Sequence, residues 1–178
     1  MSVVIKSRRT TTISLRLDEE LLSKLRLESK NQEVSTNTLA CQAFKRFLEW
    51  DICQPKMGDV SINKPVFIKI FENLTEAEVI KLACTIGKDD TRDVALFMKG
   101  KIDIESFMAW FVMQMVNSSV QISHTMDNNL HTYVMKHDLG KNWSLYHKTI
   151  LEVIFEKTFN IKAELNCGAR IISLRFAQ

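Results

Sequence analysis

Three polar side chains near the N-terminus, Thr12, Ser14 and Arg16, alternate with apolar residues. In an extended strand alternate residues point to the same side, so the two hydroxyls and the guanidinium would share one face. A hydroxyl both donates and accepts hydrogen bonds, and a guanidinium offers several donors in a planar fork. We therefore predict that this face recognises a partner by hydrogen bonding.

The excess charge of the chain lies around this segment. Residues 1–50 hold nine Lys and Arg against six Asp and Glu, and the chain totals of 24 and 21 leave 15 of each for the remainder. The first 17 residues contain no acid and include Lys6, Arg8 and Arg9. A basic segment joined to a neutral body predicts a polyanionic partner, whose phosphates these three side chains would neutralise.

Local patterns predict one strand and two helices over residues 12–50. The alternation over residues 12–17 is typical of a strand with one apolar face. Asp18 is a good N-cap for a helix that ends near Lys30. After a connector, Ser35 is a second N-cap, for a helix whose apolar stripe extends to about Trp50.

A single short strand needs a partner, because both of its edges carry unpaired backbone groups. Residues 10–50 supply no second strand. Pairing with a second copy would give an antiparallel ribbon, with Ile13, Leu15 and Leu17 buried and the polar face displayed twice. A two-stranded ribbon fits the major groove of DNA, where Arg bonds guanine. In the alternative interpretation, residues 12–17 form an edge strand of a sheet built by the C-terminal part.

The segments TTISLRLDEELLSKL and VSTNTLACQAFKRFLEW carry this pattern. Strand, capped helix, connector and Ser-capped helix within about 40 residues resemble the ribbon-helix-helix family of the Arc and MetJ repressors. The match covers roughly residues 8–50. The resemblance implies a swapped two-stranded ribbon in a dimer, with bases read by the outward strand residues Thr12, Ser14 and Arg16.

The resemblance also implies a phosphate contact at the start of the second helix. The residues concerned are Ser35, Thr36 and Asn37, and the free N–H groups of a helix N-terminus suit an anion in any fold. The connector before this helix lacks the glycine that the family often has. We expect Asn31 to take the left-handed conformation there, and Glu33 to be unfavourable beside a phosphate.

The C-terminal part predicts a fold of helices followed by a small antiparallel sheet. Four helical stretches precede two alternating segments, a long helix from Asn142 and a closing hairpin, in the order β-β-α-β-β. The fold class is α+β. We predict a ribbon-helix-helix domain over 1–52, a linker over 53–64 that contains Pro55 and Gly58, and a C-terminal domain over 65–178 for oligomerisation or effector sensing.

Two groups of side chains in the C-terminal part suggest further chemistry. His124, His131 and His137 lie close in sequence, and imidazoles on adjacent strands can bind a transition metal, as in nickel-responsive repressors of this family. The apolar residues of the fourth helical stretch line either a ligand pocket or an ordinary helix core; they are Phe107, Met108, Trp110, Phe111, Met113 and Met115. We predict no cofactor, no metal and no catalytic site.

The composition predicts a cytoplasmic protein with no membrane partner. The longest apolar run, Phe107 to Val116, is shorter than the 20 or so residues of a bilayer span, and no secretion signal is recognisable. The four cysteines form no C-x-x-C pair, which favours reduced thiols.

These observations predict a sequence-specific transcriptional regulator, a repressor by analogy with the family. It would bind double-stranded DNA as a homodimer, or as a tetramer of paired dimers, and its effector is not apparent from the sequence. One alternative is an antitoxin-like or scaffold module that binds a protein. A second is a metal-responsive regulator that uses the C-terminal histidines.

Overall fold

The structure, a computed structural model, describes residues 10–52, 54–56 and 61–178. The chain divides into two compact units, Met1–Gly58 and Asp59–Gln178, and each is described by itself. The division falls within the predicted linker.

Two capped helices form the N-terminal unit. The carboxylate of Asp18 accepts a hydrogen bond from the N–H of Leu21 at 2.7 Å and begins α1, Glu19–Asn31. The hydroxyl of Ser35 accepts from the N–H of Thr38 at 3.0 Å and begins α2, Thr36–Arg46. Both predicted caps are confirmed. A π-helical turn, Phe47–Asp51, and a short 3₁₀ turn, Gln54–Lys56, follow α2.

The predicted strand over residues 12–17 has no strand partner in the single chain. The described residues 10–17 carry no regular secondary structure and lead directly into α1. The sheet of the C-terminal unit has four strands, none of which includes this segment. The alternative in which residues 12–17 are an edge strand of that sheet is therefore wrong.

The apolar residues of the N-terminal unit remain largely uncovered in one copy of the chain. Ile13 is 70% exposed and Leu15 is 56% exposed. Within α1 only Ser29 is buried, and α2 buries no residue. The apolar stripe that begins in α2 and continues into the π-helical turn thus lies open, with Phe44 and Leu48 exposed.

Four helices begin the C-terminal unit, as predicted. They are α3, Lys64–Glu72; α4, Glu76–Leu82; α5, Lys88–Lys99; and α6, Ile104–Asn117, with a π-helical turn, Ala83–Gly87, joining α4 to α5. Thr75 and Glu78 form a reciprocal capping box at the start of α4. Gly100 ends α5 at φ 71°, a left-handed conformation that glycine adopts without steric cost.

The sheet confirms the predicted order β-β-α-β-β. Its elements are β1, Gln121–Asp127; β2, Leu130–Lys136; α7, Lys141–Lys157; β3, Ala163–Cys167; and β4, Ile171–Ala177. The spatial order is β1-β2-β4-β3, and every pairing is antiparallel. The central pair, β2 with β4, joins the two hairpins into one sheet, and α7 connects these hairpins in the sequence.

Helices α6 and α7 cover the inner face of the sheet and form the core. Phe107 and Phe155 are almost completely buried with Met135, Ile172 and Leu174 of the sheet. The apolar stripe of α6 is mainly core, since five of its six large residues are buried; these are Phe107, Met108, Trp110, Phe111 and Met115. No described helix is both long and apolar enough to cross a membrane.

One amide ties the start of α7 to the turn between α3 and α4. The Nδ2 of Asn142 donates to the carbonyls of Phe71 and Leu74, at 2.8 and 2.7 Å. These carbonyls lie at the end of α3 and just after it, and the Phe71 carbonyl also accepts from the backbone N–H of Leu74 at 3.2 Å. The bond fixes α3 and α4 against α7.

Candidate nucleic-acid interface

The three residues predicted to read bases lie together on the accessible segment before α1. Thr12, Ser14 and Arg16 are all exposed. Arg16 forms no salt bridge with another described residue, so its guanidinium is free to bind a partner. The predicted phosphate contacts Lys6, Arg8 and Arg9 lie outside the described residues.

At the start of α2, two of the three side chains predicted to contact phosphate form hydrogen bonds within the protein. The Ser35 hydroxyl caps the helix, which occupies the N–H of Thr38. The hydroxyl of Thr36 lies 3.2 Å from that of Ser29, which is buried in α1. Asn37 is exposed. A phosphate at this end would therefore bind chiefly to the backbone N–H groups of Thr36 and Asn37 and to the Asn37 amide.

Sequence reasoning overlooked Ser29, and its hydroxyl connects the two helices. It donates to the carbonyl of Arg26 at 2.9 Å and also meets Thr36. A small polar residue inside a helix carries little signal, because serine is usually solvated there. The contact depends on the path of the connector, which the sequence pattern does not specify.

The connector differs from the expectation at one residue. Asn31, which we expected to be left-handed, is the last residue of α1, and Glu33 takes the left-handed conformation with φ 54°. The N–H of Gln32 still bonds the carbonyl of Glu28, so the helical hydrogen bonds continue past Asn31. The turn therefore comes two residues later, on a side chain that this conformation disfavours.

The remaining basic side chains of the N-terminal unit fall into two groups. Lys45 and Arg46 lie 3.9 and 3.6 Å from Glu49 and Asp51, and Lys24 pairs with Glu20. Such exposed pairs contribute little to stability, so the Lys and Arg side chains can readily leave their carboxylates for another anion. Arg26 and Lys30 have no salt bridge to another described residue.

The chain matches no protein-family model and no curated protein. The ribbon-helix-helix resemblance accordingly stays a prediction.

The three histidines that lie close in sequence do not converge on one site. His124 on β1 and His131 on β2 face each other, with Nε2 of the first 3.1 Å from Nδ1 of the second. His137, after β2, is buried and turned toward α7. Among the described residues no group of three or more His, Cys, Asp or Glu is placed to hold a metal ion.

The hydrogen bonds of His137 determine which of its nitrogens carries the proton. Nδ1 accepts from the N–H of Leu139 at 3.1 Å, so in the neutral ring the proton is on Nε2. Nε2 then donates to the hydroxyl of Ser144 at 2.8 Å. A base must accept the proton of a nucleophilic hydroxyl, and this ring donates instead. The pair therefore serves to hold the turn between β2 and α7.

Burial keeps two histidines of this region neutral. It lowers the pKa of His137. The side chain of His147 on α7 retains some accessible surface, yet burial lowers its pKa to about 4, against a partly offsetting hydrogen bond to the Trp143 carbonyl. Sequence reasoning did not single out His147.

We expect replacement of Glu33 by glycine to stabilise the N-terminal unit. Glycine removes the steric cost of φ 54°, which outweighs its larger entropy in the unfolded chain, for a gain of about 0.5–1 kcal/mol. Urea unfolding monitored by the NMR signals of α1 would measure it. Glu33→Gln retains the steric cost and should change the free energy of unfolding little. Equal stabilisation by both variants would show that the charge, and not the backbone, is responsible.

The free energy of unfolding of the C-terminal unit should fall as the pH decreases from 6.5 towards 4. The unfolded chain protonates histidine near 6.5, whereas burial lowers the pKa of His147 in the folded unit to about 4, so the unfolded state binds more protons in this range. Burial lowers the pKa of His137 as well, which acts in the same direction. The expected slope is up to about 1.4 kcal/mol per pH unit for each such histidine. Urea unfolding followed by the NMR signals of α7 would give the slope.

The variant His147→Phe should reduce this slope, whatever its effect on stability at neutral pH. Tyr146→Phe, the neighbouring substitution on the same helix, should leave it unchanged. If His147→Phe retained the full slope, another group would be responsible.

Proposed function

We propose that the protein is a homodimeric, sequence-specific transcriptional regulator that inserts an antiparallel β-ribbon into the major groove of DNA. The observation that carries this proposal is the combination, in the N-terminal unit, of an unpaired segment with alternating residues and two capped helices whose apolar side chains remain exposed. The resemblance to the ribbon-helix-helix family supports it.

The need for a second copy follows from the uncovered apolar surface. A unit of this size is only marginally stable on its own burial, and the exposed apolar side chains of this one make a second copy a source of further burial. Antiparallel pairing of residues 12–17 from two copies would satisfy their backbone groups and place Ile13, Leu15 and Leu17 of both on one face. The exposed side chains of α1, α2 and the π-helical turn would cover that face; they include Leu21, Leu27, Phe44 and Leu48.

DNA reading follows from what the other face of the ribbon would display. Thr12, Ser14 and Arg16 would appear twice, related by the two-fold axis. The width of the major groove accepts a two-stranded ribbon, and Arg bonds O6 and N7 of guanine while hydroxyls bond either base pair. The N-terminus of α2 would hold a backbone phosphate and set the register. The expected site is a short inverted repeat.

Repression, and a role of the C-terminal unit in oligomerisation or effector sensing, are inferred by analogy with regulators of this kind. When it is bound to its DNA site, the protein would exclude other DNA-binding proteins from that site. The analogy specifies neither the operator nor the regulated genes.

Selection of bound duplexes from a random pool, by the purified chain at physiological salt, tests the function. Enrichment of a short inverted repeat would support it and give the half-site spacing. Binding without enrichment would point to a non-specific polyanion contact. Absence of binding even at low salt would favour the antitoxin-like or scaffold alternative, in which the dimer binds a protein.

Leu15→Asp should abolish the dimer, because it places a carboxylate on the face that the ribbon buries. Light scattering of the purified variant would measure the mass. Ser14→Asp adds the same charge on the adjacent, outward face and should leave the dimer intact. A dimer that survives Leu15→Asp would refute the ribbon.

Arg16→Ala should weaken binding to the selected site by about 1–3 kcal/mol and relax the preference at one position of each half-site. Arg26→Ala, on α1, removes an equally exposed guanidinium and should lower affinity for all sequences alike or not at all. Competition binding with the selected duplex and single-base variants would compare them. A uniform loss for Arg16→Ala would show that Arg16 contacts phosphate.

A further inference from the structure

The two edge strands of the sheet in the C-terminal unit differ in how they are protected from pairing with another chain. An edge strand presents unpaired backbone N–H and C=O groups, and natural proteins guard such edges with short strands or charged side chains. β3 has five residues and includes Glu164, which lies 3.5 Å from Arg175 of β4. β1 has seven residues in an unbroken register with β2, contains no Lys, Arg or Glu, and has its one Asp, Asp127, at its end. The β1 edge is therefore the less protected one.

The backbone groups of β1 that β2 does not bond belong to every second residue. A two-residue turn joins the strands, and both of its residues have positive φ, as in a type I′ turn. In such a hairpin the flanking pair, Asp127 with Leu130, exchanges backbone hydrogen bonds, and alternate pairs from there do the same. The N–H and C=O groups of Ile122, His124 and Met126 therefore point away from β2. No other described backbone group outside the sheet bonds them.

A groove of about 450 Å³ lies beside β1, and one face of α6 forms its opposite wall. On the β1 side Ile122 and the exposed His124 line the groove. On the α6 side small apolar residues line it at helical spacing; these are Ala109, Val112 and Val116, the last 56% exposed. The only Asp, Glu, Lys or Arg of the lining is Glu105, in the first turn of α6. Uncovered apolar side chains beside an open strand edge mark a surface for another protein.

The sequence of β1 is complementary to itself in one antiparallel register, with a two-fold axis through His124. The residues opposite each other would be hydroxyl with hydroxyl, apolar with apolar, and amide with carboxylate; the pairs are Ser123 with Thr125, Ile122 with Met126, and Gln121 with Asp127. Such cross-strand pairs stabilise a sheet, and no two like charges meet in this register. An axis through Ser123 or Thr125 would instead place the imidazole opposite an apolar side chain.

His124 suits a position on the axis, where it would meet its own copy. Burial lowers the pKa of His124, and the neighbouring His131 lowers it further, so the ring is uncharged at neutral pH. One face of the imidazole stacks on Tyr133 of β2, with 4.0 Å between the ring centroids and 8° between the planes. Since Tyr133 lies on β2, the opposite face of the imidazole is turned away from β2, toward the open edge.

We propose that β1 pairs with β1 of a second copy in the register through His124, so that two four-stranded sheets become one eight-stranded antiparallel sheet. The outward backbone groups of Ile122, His124 and Met126 bond those of the second copy. The exposed face of α6 lies against its own copy and closes the groove. Because each copy contributes about ten residues, against the 20–30 of a standard interface, the contact is weak alone, with an expected Kd on the order of 0.1–1 mM.

The edge contact involves only the C-terminal unit and stands without the ribbon. In the proposed regulator each ribbon dimer has two such edges, so the contact would join ribbon dimers into the tetramer of paired dimers; this second step rests on the proposed function. A chain with Leu15→Asp has one edge only. It should therefore be a monomer at the micromolar concentrations of light scattering and associate only near the Kd of the edge.

Sedimentation of the Leu15→Asp chain from about 20 µM to about 1 mM tests the edge without the ribbon. The expected result is a change from monomer to dimer over this range. The ¹H–¹⁵N signals of Ile122, His124 and Met126 should shift over the same range, because their N–H groups gain acceptors. An unchanged monomer at the highest concentration would overturn the proposal and would leave the ribbon untouched.

Opposite charges at residue 124 test the register in the same Leu15→Asp chain. His124→Lys and His124→Glu each place like charges opposite one another, and each should raise the Kd about fivefold. An equimolar mixture places Lys opposite Glu and should restore association. Low ionic strength limits the screening of these charges. A mixture that associates no better than either variant alone would overturn the proposal.

Asn166→Lys and Asn166→Glu are the matched controls, because Asn166 is exposed on β3, the other edge strand. They should leave the association unchanged. Equal weakening by substitutions at residues 124 and 166 would show a general effect of charge, and weakening only at 166 would show pairing through β3; either result overturns the proposal. Both residues are exposed, so the NMR signals of α7 should report an intact core in every variant.

Discussion

The backbone hydrogen bonds of an extended chain must find a partner strand, and the two units of the protein differ in how their described residues meet this requirement. In the C-terminal unit the requirement is met internally, because two hairpins pair through β2 and β4 and α7 crosses between them. In the N-terminal unit the described residues of one copy form no strand that pairs with residues 12–17. The proposed dimer is the consequence of that difference.

Uncovered apolar surface leads to the same conclusion by a separate physical route. The C-terminal unit buries a continuous core between the sheet and two helices, so its stability is its own. The helices α1 and α2 bury almost nothing, although both are well capped. Capping makes a helix begin at a defined residue, but tertiary burial supplies most of its stability. A second copy would supply both the strand and the burial.

The buried polar groups of the C-terminal unit show how burial assigns different roles to similar residues. His137 is neutral, donates to Ser144 and holds a turn. Burial lowers the pKa of His147 too, and its Nδ1 lies 3.1 Å from the Trp143 carbonyl. The first arrangement joins the end of β2 to α7, whereas the second lies within α7.

Sequence patterns predicted most of the described helices and strands, since caps, alternation and turn residues act over only a few positions. Asp18 and Ser35 begin helices where expected, and the order β-β-α-β-β is found, but residues 12–17 form no strand in the single chain. Features that depend on distant contacts were not predictable. The strand order, the meeting of Ser29 with Thr36, and the left-handed Glu33 in place of Asn31 arise from how whole elements pack.

The candidate sites also differ in whether neighbouring or distant residues form them. The polar face proposed for Thr12, Ser14 and Arg16 could be predicted from the sequence, because an alternation with a period of two is a property of neighbouring residues. The hydrogen bond between His137 and Ser144 could not, because it depends on how α7 packs beside the end of β2. Packing also separated His137 from His124 and His131, by burying it against α7 while the other two remained on the sheet. The sequence pattern determines where helices and strands begin and end, because the interactions concerned join neighbouring residues. Burial and protonation depend on residues that are distant in the chain and meet only in the folded core.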